Sequence, residues 1–332
     1  MNGSKLPNVY LHWEDFGREN ARRNLQRYHQ EMCTFNDDMQ GTGVVTLSAL
    51  LTATQRIKQS LTEQRIVIFG AGTAGTGIAD QLYAGMLRAG LTPEAALERF
   101  WLVDRQGLLT QTMSDLTDFQ RPYARHDVST LLTNLEAVIQ HVKPTVLIGC
   151  SGQGGAFTEN IVRQMAQDQR HPIIFPLSNP TEKAEATPLD LLRWTEGRVL
   201  MATGSPFGRV SFQNKTWKIS QCNNALIYPG LGLGIVVSRA QRLSETMLWH
   251  ACKALSDYAS QSPEFHAPLL PDFDRIHALS QHIALAVAQQ ARQEGLAQVS
   301  ETLDLAQRVQ NQFWKPKYYD YHLKTEDTKE NE

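Results

Sequence analysis

The stretch from Arg65 to Ala79, RIVIFGAGTAGTGIA, constrains this chain more than any other. Four apolar residues (Ile66, Val67, Ile68, Phe69) run directly into Gly70, Gly72 and Gly75, and a segment of helical character follows. The order is strand, tight turn, helix. Within Gly70-Ala71-Gly72-Thr73-Ala74-Gly75, the first glycine allows a sharp turn and the second lets backbone approach a pyrophosphate with no Cβ in the way. The third lets the helix pack closely on the strand. The helix N-terminus adds unpaired N–H groups and the positive end of a dipole. Glycine-rich turns also close ordinary βα units, but the strand before and the helix after favour dinucleotide binding over a plain turn.

A chain of 332 residues is long enough for about two domains. With 42% hydrophobic and 20% charged residues it has the composition of a soluble globular protein. The net charge of −2 gives no electrostatic reason to expect nucleic acid or an anionic membrane as partner. Cys33, Cys150, Cys222 and Cys252 form no closely spaced pair, which argues against a zinc site or a disulfide framework and favours a reducing cytoplasm. The longest apolar run, Ala225 to Val237, is broken by Pro229 and three glycines and is too short to span a bilayer.

Taken in order, the chain alternates. Pro7–Trp13 reads as an extended segment, Arg18–Met32 as a helix, and the next helix starts at Thr42 or Gly43 and is apolar on most of its surface. After the glycine turn, Phe100–Asp104 is a second strand ending in an acid. Asp104 lies 29 residues beyond Gly75, a loose match to the acid that accepts the adenosine ribose hydroxyls, and an extra helical stretch over Leu91–Arg99 accounts for the excess. A helix over Thr130–His141 precedes a third strand, PTVLIGC. That strand ends in a second glycine turn, SGQGGAF, which is as well read as βα geometry as a loop facing a cofactor. Pro172–Pro180 and Arg198–Phe207 carry two further strands, and helices cover Phe157–Asp168, Ser244–Ser260 and Phe273–Glu294. The fold class is α/β: a doubly wound Rossmann-type parallel sheet with flanking helices and a C-terminal helical segment. Four divisions follow: 1–42, an N-terminal segment; 43–225, the Rossmann-type domain; 226–323, the helical segment; and 324–332, a disordered tail.

Two acidic pairs, Glu14-Asp15 and Asp37-Asp38, flank the first helix. If that helix folds back, four carboxylates converge into an oxygen-rich set that suits Mg²⁺ or Mn²⁺, and no Cys/His set competes for zinc. On spacing alone the solvated-turn reading is the stronger.

The motifs HWEDFG, CTFNDDMQGTG, GAGTAG, LVDRQGLL, SNPTEKAEATP, ATGSPF and QCNNALIYPGLGLG together resemble the malic enzyme family, from about Val9 to FWKPKYYDY near the C-terminus. The resemblance implies oxidative decarboxylation of malate to pyruvate and CO₂ with NAD and a divalent metal. It places Glu14, Asp15 and Asp38 as metal ligands with Asp37 beside them, and the residues Gly70 to Gly75 at the pyrophosphate. Asp104 then holds the ribose, and Asn179 and Asn224 contact the nicotinamide end and the malate. An acid at the end of the second strand repels a 2′-phosphate. The adjacent Arg105 weakens that argument, while Gln120 resembles the NAD-using relatives; NAD is therefore expected.

In the family an upstream region supplies a general-acid tyrosine, a general-base lysine and a substrate-binding arginine, and no segment here matches those motifs. The expectation is a carboxy-terminal portion with an incomplete acid–base set, in which residues 226–296 pack on a separate N-terminal portion and leave an apolar patch when alone. His12, His29, Lys183 and Tyr228 are the local candidates for proton transfer, each better read as structural or solvent-facing. Malate is the implied substrate; the implied assembly is a homo-oligomer or a pairing with that N-terminal portion. Two alternatives stand: a malolactic enzyme, which yields lactate, and a non-catalytic NAD-binding protein.

Overall fold

The computed structural model describes residues 9–128, 132–262 and 264–321. The elements follow in chain order. The first part comprises β1 (Leu11–Trp13), α1 (Arg18–Tyr28), β2 (Thr34–Asn36), a π-helical turn (Asp37–Gly41) and α2 (Thr42–Arg56). Then come β3 (Ile66–Phe69), α3 (Thr73–Arg88), α4 (Pro93–Leu97), β4 (Phe100–Asp104), β5 (Gly107–Leu108), α5 (Leu135–Val142) and β6 (Val146–Gly149). The alternation continues through α6 (Glu159–Asp168), β7 (Ile173–Pro176), α7 (Pro188–Trp194) and β8 (Leu200–Thr203), followed by β9 (Val210–Phe212), β10 (Lys215–Trp217) and β11 (Ser220–Gln221). Four helices close the described chain: α8 (Tyr228–Ser238), α9 (Glu245–Ala259), α10 (Ile276–Gln293) and α11 (Leu305–Gln312).

The central sheet has seven strands in the order β11-β8-β7-β6-β3-β4-β5. All pairs are parallel except β4 with β5, where the chain turns back at the edge. Strand β3 sits between β4 and β6, so the order of crossovers reverses between β3 and β6. A ligand crevice opens outside the carboxyl ends of strands at such a point. Two small accessories stand apart: β1 pairs parallel with β2, and β9 with β10 forms a hairpin.

Both faces of the sheet are dry because successive side chains in a strand point to opposite faces. Ile66 and Ile68 of β3 enter one buried cluster with Leu102, Ile148 and Phe175, while Val67 enters another with Val103, Leu147 and Ile174. Helices α5, α6 and α7 cover the second face. Helix α2 lies within the first cluster and is buried from Gly43 to Thr54, as its near-complete lack of charge requires. Its hydroxyls are satisfied locally: Thr46 donates to the Thr42 carbonyl at 2.7 Å and Ser48 to that of Val44 at 2.8 Å.

The segment after β11 joins this same cluster through Leu226, Leu231, Met247, Leu255 and Ile283. Between residues 226 and 296 most of its large apolar side chains are covered within the chain, with Tyr228, Val236 and Phe273 left exposed; further on, Trp314, Tyr318, Tyr319 and Tyr321 are exposed as well. The helix expected over Thr130–His141 begins at Leu135, where the Asn134 side chain accepts from the Ala137 N–H; Ser129–Leu131 lie outside the described residues, as does the 324–332 tail. The long polar run Gly107–Arg125 is mostly irregular, as expected, with β5 and a single 3₁₀ turn inside it.

Helices α8 and α10 touch backbone to side chain. A Cβ on Gly230 would lie 2.7 Å from Ile283 Cβ and 2.8 Å from the Ser280 carbonyl oxygen. Gly230→Ala is therefore expected to destabilise the chain by about 1–3 kcal/mol through overpacking, despite the better helix propensity of alanine. A lowered urea midpoint at unchanged slope checks this.

Candidate functional site

Gly70 and Gly75 show the local geometry expected of the turn. Gly70 has φ +105°, and a Cβ there would stand 2.5 Å from the Cys150 carbonyl group, so the ends of β3 and β6 meet backbone to backbone at the crevice. A Cβ on Gly75 would come within 1.9 Å of the Gly70 carbonyl oxygen. The turn and the first turn of α3 are thus a single packed unit, with Gly72 at the helix N-cap and Thr73 and Ala74 opening the helix.

Asp104 ends β4 beside this turn. Its Oδ1 accepts the Arg105 backbone N–H at 3.0 Å and its Oδ2 accepts from Gln120 Nε2 at 3.1 Å. Gln120 is buried and also donates to the Ala71 carbonyl at 2.9 Å, so one amide fixes the acid relative to the turn. Among the described residues no cation pairs with Asp104; the contact of Arg105 to it is through backbone. In the sequence Gln120 bears only on cofactor choice, whereas its bracing of the turn is a property of the fold.

The carboxylates converge. One oxygen each from Glu14, Asp15 and Asp38 lies within 4.8 Å of the others, and His12, Glu14 and Asp37 form an overlapping set. The strand pair β1 with β2 causes this: the parallel register of His12 with Phe35 brings the residues after β1 beside those after β2. Asp15 has φ +54°, a conformation that aspartate tolerates better than most residues. Asp37 sits in the π-helical turn, where a Cβ on Gly41 would fall 2.3 Å from Asp37 Oδ1.

Burial pushes Asp37 up to about 6; the Asn224 hydrogen bond opposes this, and Glu14 adds to it. Asp38 is also raised, first by burial and then by Glu14 and Asp15. The buried atoms Asp37 Oδ1 and Asp38 Oδ2 accept no hydrogen bond from the described residues. Clustered acids, raised by burial and by one another and with bare inward oxygens, form an all-oxygen donor set that fits a hard divalent cation. His12 belongs here too. Its Nε2 is 3.1 Å from Glu14 and 3.9 Å from Asp37, and its ring packs edge-on against Phe35 and Tyr228. Nothing in the spacing of a lone histidine signalled that.

Asn224 follows β11 and so stands at the carboxyl edge of the sheet. Its Nδ2 donates to Asp37 Oδ2 at 2.8 Å, to the Asp37 carbonyl at 3.2 Å and to Thr42 Oγ1 at 3.1 Å. The backbone of Met39 meets α3 where a Cβ on Gly77 would lie 2.9 Å from the Met39 carbonyl oxygen. The carboxylate cluster and the glycine turn therefore share one edge of one body. Asn179, after β7, accepts from Ser205 Oγ at 2.8 Å on the same edge. Of the remaining proton-transfer candidates, His29 bonds carbonyls of its own helix, and Lys183 lies in a short 3₁₀ turn after Asn179.

A Rossmann-type sheet with a glycine turn, a braced acid and an adjoining all-oxygen cluster defines a dinucleotide-binding α/β protein with a candidate metal centre. The family model described as malic enzyme, NAD binding domain, matches residues 39–292, and the chain belongs to that family. The match begins just after the Asp37-Asp38 pair.

The chain is 46% identical over 322 residues to NAD-dependent malic enzyme 3 of Bacillus subtilis (strain 168), covering 94% of this chain and 56% of that protein. It is 47% identical over 328 residues to an NAD-dependent malic enzyme of Sodalis glossinidius (strain morsitans), covering 96% and 57%. Among solved structures, the malic enzyme of Entamoeba histolytica shares the fold with a TM-score of 0.74 at 24% identity, over 90% of this chain and 57% of that one. The NAD-dependent malic enzyme of Thermotoga maritima aligns with a TM-score of 0.66 at 28% identity, over 83% and 66%. The chain thus spans a little over half the length of these curated relatives. Among the described residues no helix is long and apolar enough to cross a membrane.

Asn224→Ala removes the donor that serves Asp37. The loss of a hydrogen bond to a buried charged group is expected to cost about 1.5–3 kcal/mol of stability. Chemical denaturation in the presence of a chelator reads this directly.

Proposed function

We propose that the chain binds NAD across the carboxyl edge of its sheet and a Mg²⁺ or Mn²⁺ ion at Glu14, Asp15 and Asp38. It would thereby form the cofactor and metal portion of an enzyme that oxidises malate and releases CO₂ and pyruvate. The observation that carries this is the pair of bare buried oxygens, on Asp37 and Asp38, beside a complete strand-glycine-helix unit. The relatives named NAD-dependent malic enzymes support the same reading.

The residues divide the work. Gly70 to Gly75 keep side chains away from a pyrophosphate, and the first N–H groups of α3 face it. Asp104, held by Gln120, accepts the ribose hydroxyls and repels a 2′-phosphate, which favours NAD over NADP. NAD supplies the hydride acceptor, and the cation supplies Lewis acidity toward a substrate oxygen. Asn224 holds Asp37 in place beneath the ligands, and Asn179 borders the nicotinamide side. The proton transfers at the substrate hydroxyl and at the product carbon require an acid and a base. Asp37 and His12 are the cluster's side chains outside the three ligands and are candidates for such a role; a second portion of the assembly is the other source. Assembly as a homo-oligomer belongs to the same reading.

With malate, NAD and Mn²⁺, the working assembly is expected to form NADH and pyruvate in equal amounts, and lactate without net NADH would contradict this. In the same series, Asp38→Asn is expected to weaken Mn²⁺ binding at least about tenfold while preserving the folded spectrum. Unchanged affinity would remove the carboxylates from the metal site.

A further inference from the structure

Glu185 lies within SNPTEKAEATP without a role read from the sequence, yet it accepts four hydrogen bonds at the edge of the sheet. Its side chain is fully buried. It accepts Ser151 N–H and Ser151 Oγ, each at 2.9 Å, Ser178 N–H at 3.3 Å and Ser178 Oγ at 2.5 Å. Ser151 Oγ in turn accepts the Gln153 N–H, and Ser178 Oγ the Gly152 N–H, so each hydroxyl links Glu185 to the backbone of the turn after β6. Backbone N–H groups, which can only donate, reach the carboxyl group from both Ser151 and Ser178. No lysine, arginine or histidine among the described residues forms an ion pair with it, so the charge is held by neutral dipoles alone.

Its place gives it a task. The Ser151 turn follows β6 and the Ser178-Asn179 turn follows β7, both on the side of the crevice opposite Asp104. A dinucleotide with its adenosine ribose at Asp104 and its pyrophosphate at α3 must extend its other half over these turns. Gly149 leaves the room Glu185 needs, since a Cβ there would lie 2.5 Å from the Glu185 carboxyl carbon. The clamp continues to Asn179, because Ser205 Oγ bonds both the Ser178 carbonyl and Asn179 Oδ1.

Resting on the NAD reading above, we propose that Glu185 is a positioning residue for the nicotinamide half. It ties the β6 and β7 turns together, and its uncompensated negative charge favours the positively charged oxidised ring over the neutral reduced one.

The test measures the dissociation constants of NAD⁺ and NADH for the wild-type chain and for Glu185→Gln, with circular dichroism as the check on folding. Charge acting through a low-dielectric interior predicts about tenfold weaker NAD⁺ binding, with NADH changed less than about threefold. A folded Glu185→Gln chain that leaves both constants unchanged, or shifts both by the same factor, overturns the charge role. Ser178→Ala keeps the charge and removes one tie, and is expected to weaken both forms by a similar factor. A folded Ser178→Ala chain with unaltered affinities overturns the clamp, even where Glu185→Gln does not fold. A wild-type chain that binds neither form overturns the NAD reading and this proposal with it.

Discussion

The contact of Gly70 with the Cys150-Ser151 backbone is the constraint on which this molecule turns. Two parallel strands, β3 and β6, diverge into helices on opposite faces, and their exits must pass each other within van der Waals reach. Only a residue without a Cβ and with access to positive φ can stand there. At this approach the strand exits present backbone rather than side chains, and the free N–H groups of the α3 N-terminus beside it suit a phosphate. The same contact sets the distance from Asp104 on one side to the Ser151 and Ser178 turns on the other.

The acidic cluster depends on this frame indirectly. Its carboxylates come from short segments around β1 and β2, of which β2 and the turn after it are buried against the first core cluster. They are anchored by Asn224 from the end of the sheet and by the seat of Met39 on α3. Arg22 of α1 adds a further tie, donating to Asp80 of α3 at 2.9 Å, and Tyr123 donates to the other oxygen of Asp80 at 2.7 Å. Tyr123 follows Gln120 by three residues, so the segment that braces Asp104 and the helix between the two acidic pairs both lean on one residue of α3. Burial raises the acid in Asp80, and its Arg22 and Tyr123 partners oppose that. The carboxylate cluster and the glycine turn are thus parts of one mechanical unit.

The sheet was legible in the sequence because its strands are short uninterrupted apolar runs closed by glycine or by an acid, as in IVIF before Gly70 and FWLVD. The fingerprint was legible because Gly70 and Gly75 each answer a local steric need. The acidic cluster was legible only as two doublets that converge if the first helix folds back; spacing alone favoured solvated turns, and it is the long-range pairing of β1 with β2 that brings Glu14 and Asp15 against Asp38. Glu185 stayed unmarked within SNPTEKAEATP, and His12 was a proton-transfer candidate with no surroundings, because the fold supplies them: Ser151 for Glu185, and Asp37, Phe35 and Tyr228 for His12. The C-terminal helices were recognisable as helices, but their burial against α2 was not, because an apolar face does not name the surface that covers it.

Amide hydrogen exchange of the chain with and without NAD tests the central claim most directly. The account predicts that saturating NAD slows exchange at Ala71–Thr76, at Arg105 and at Ser151–Gly154, with the outer helix α11 unaffected. Unchanged exchange at all three segments, in a chain that remains folded, would contradict it.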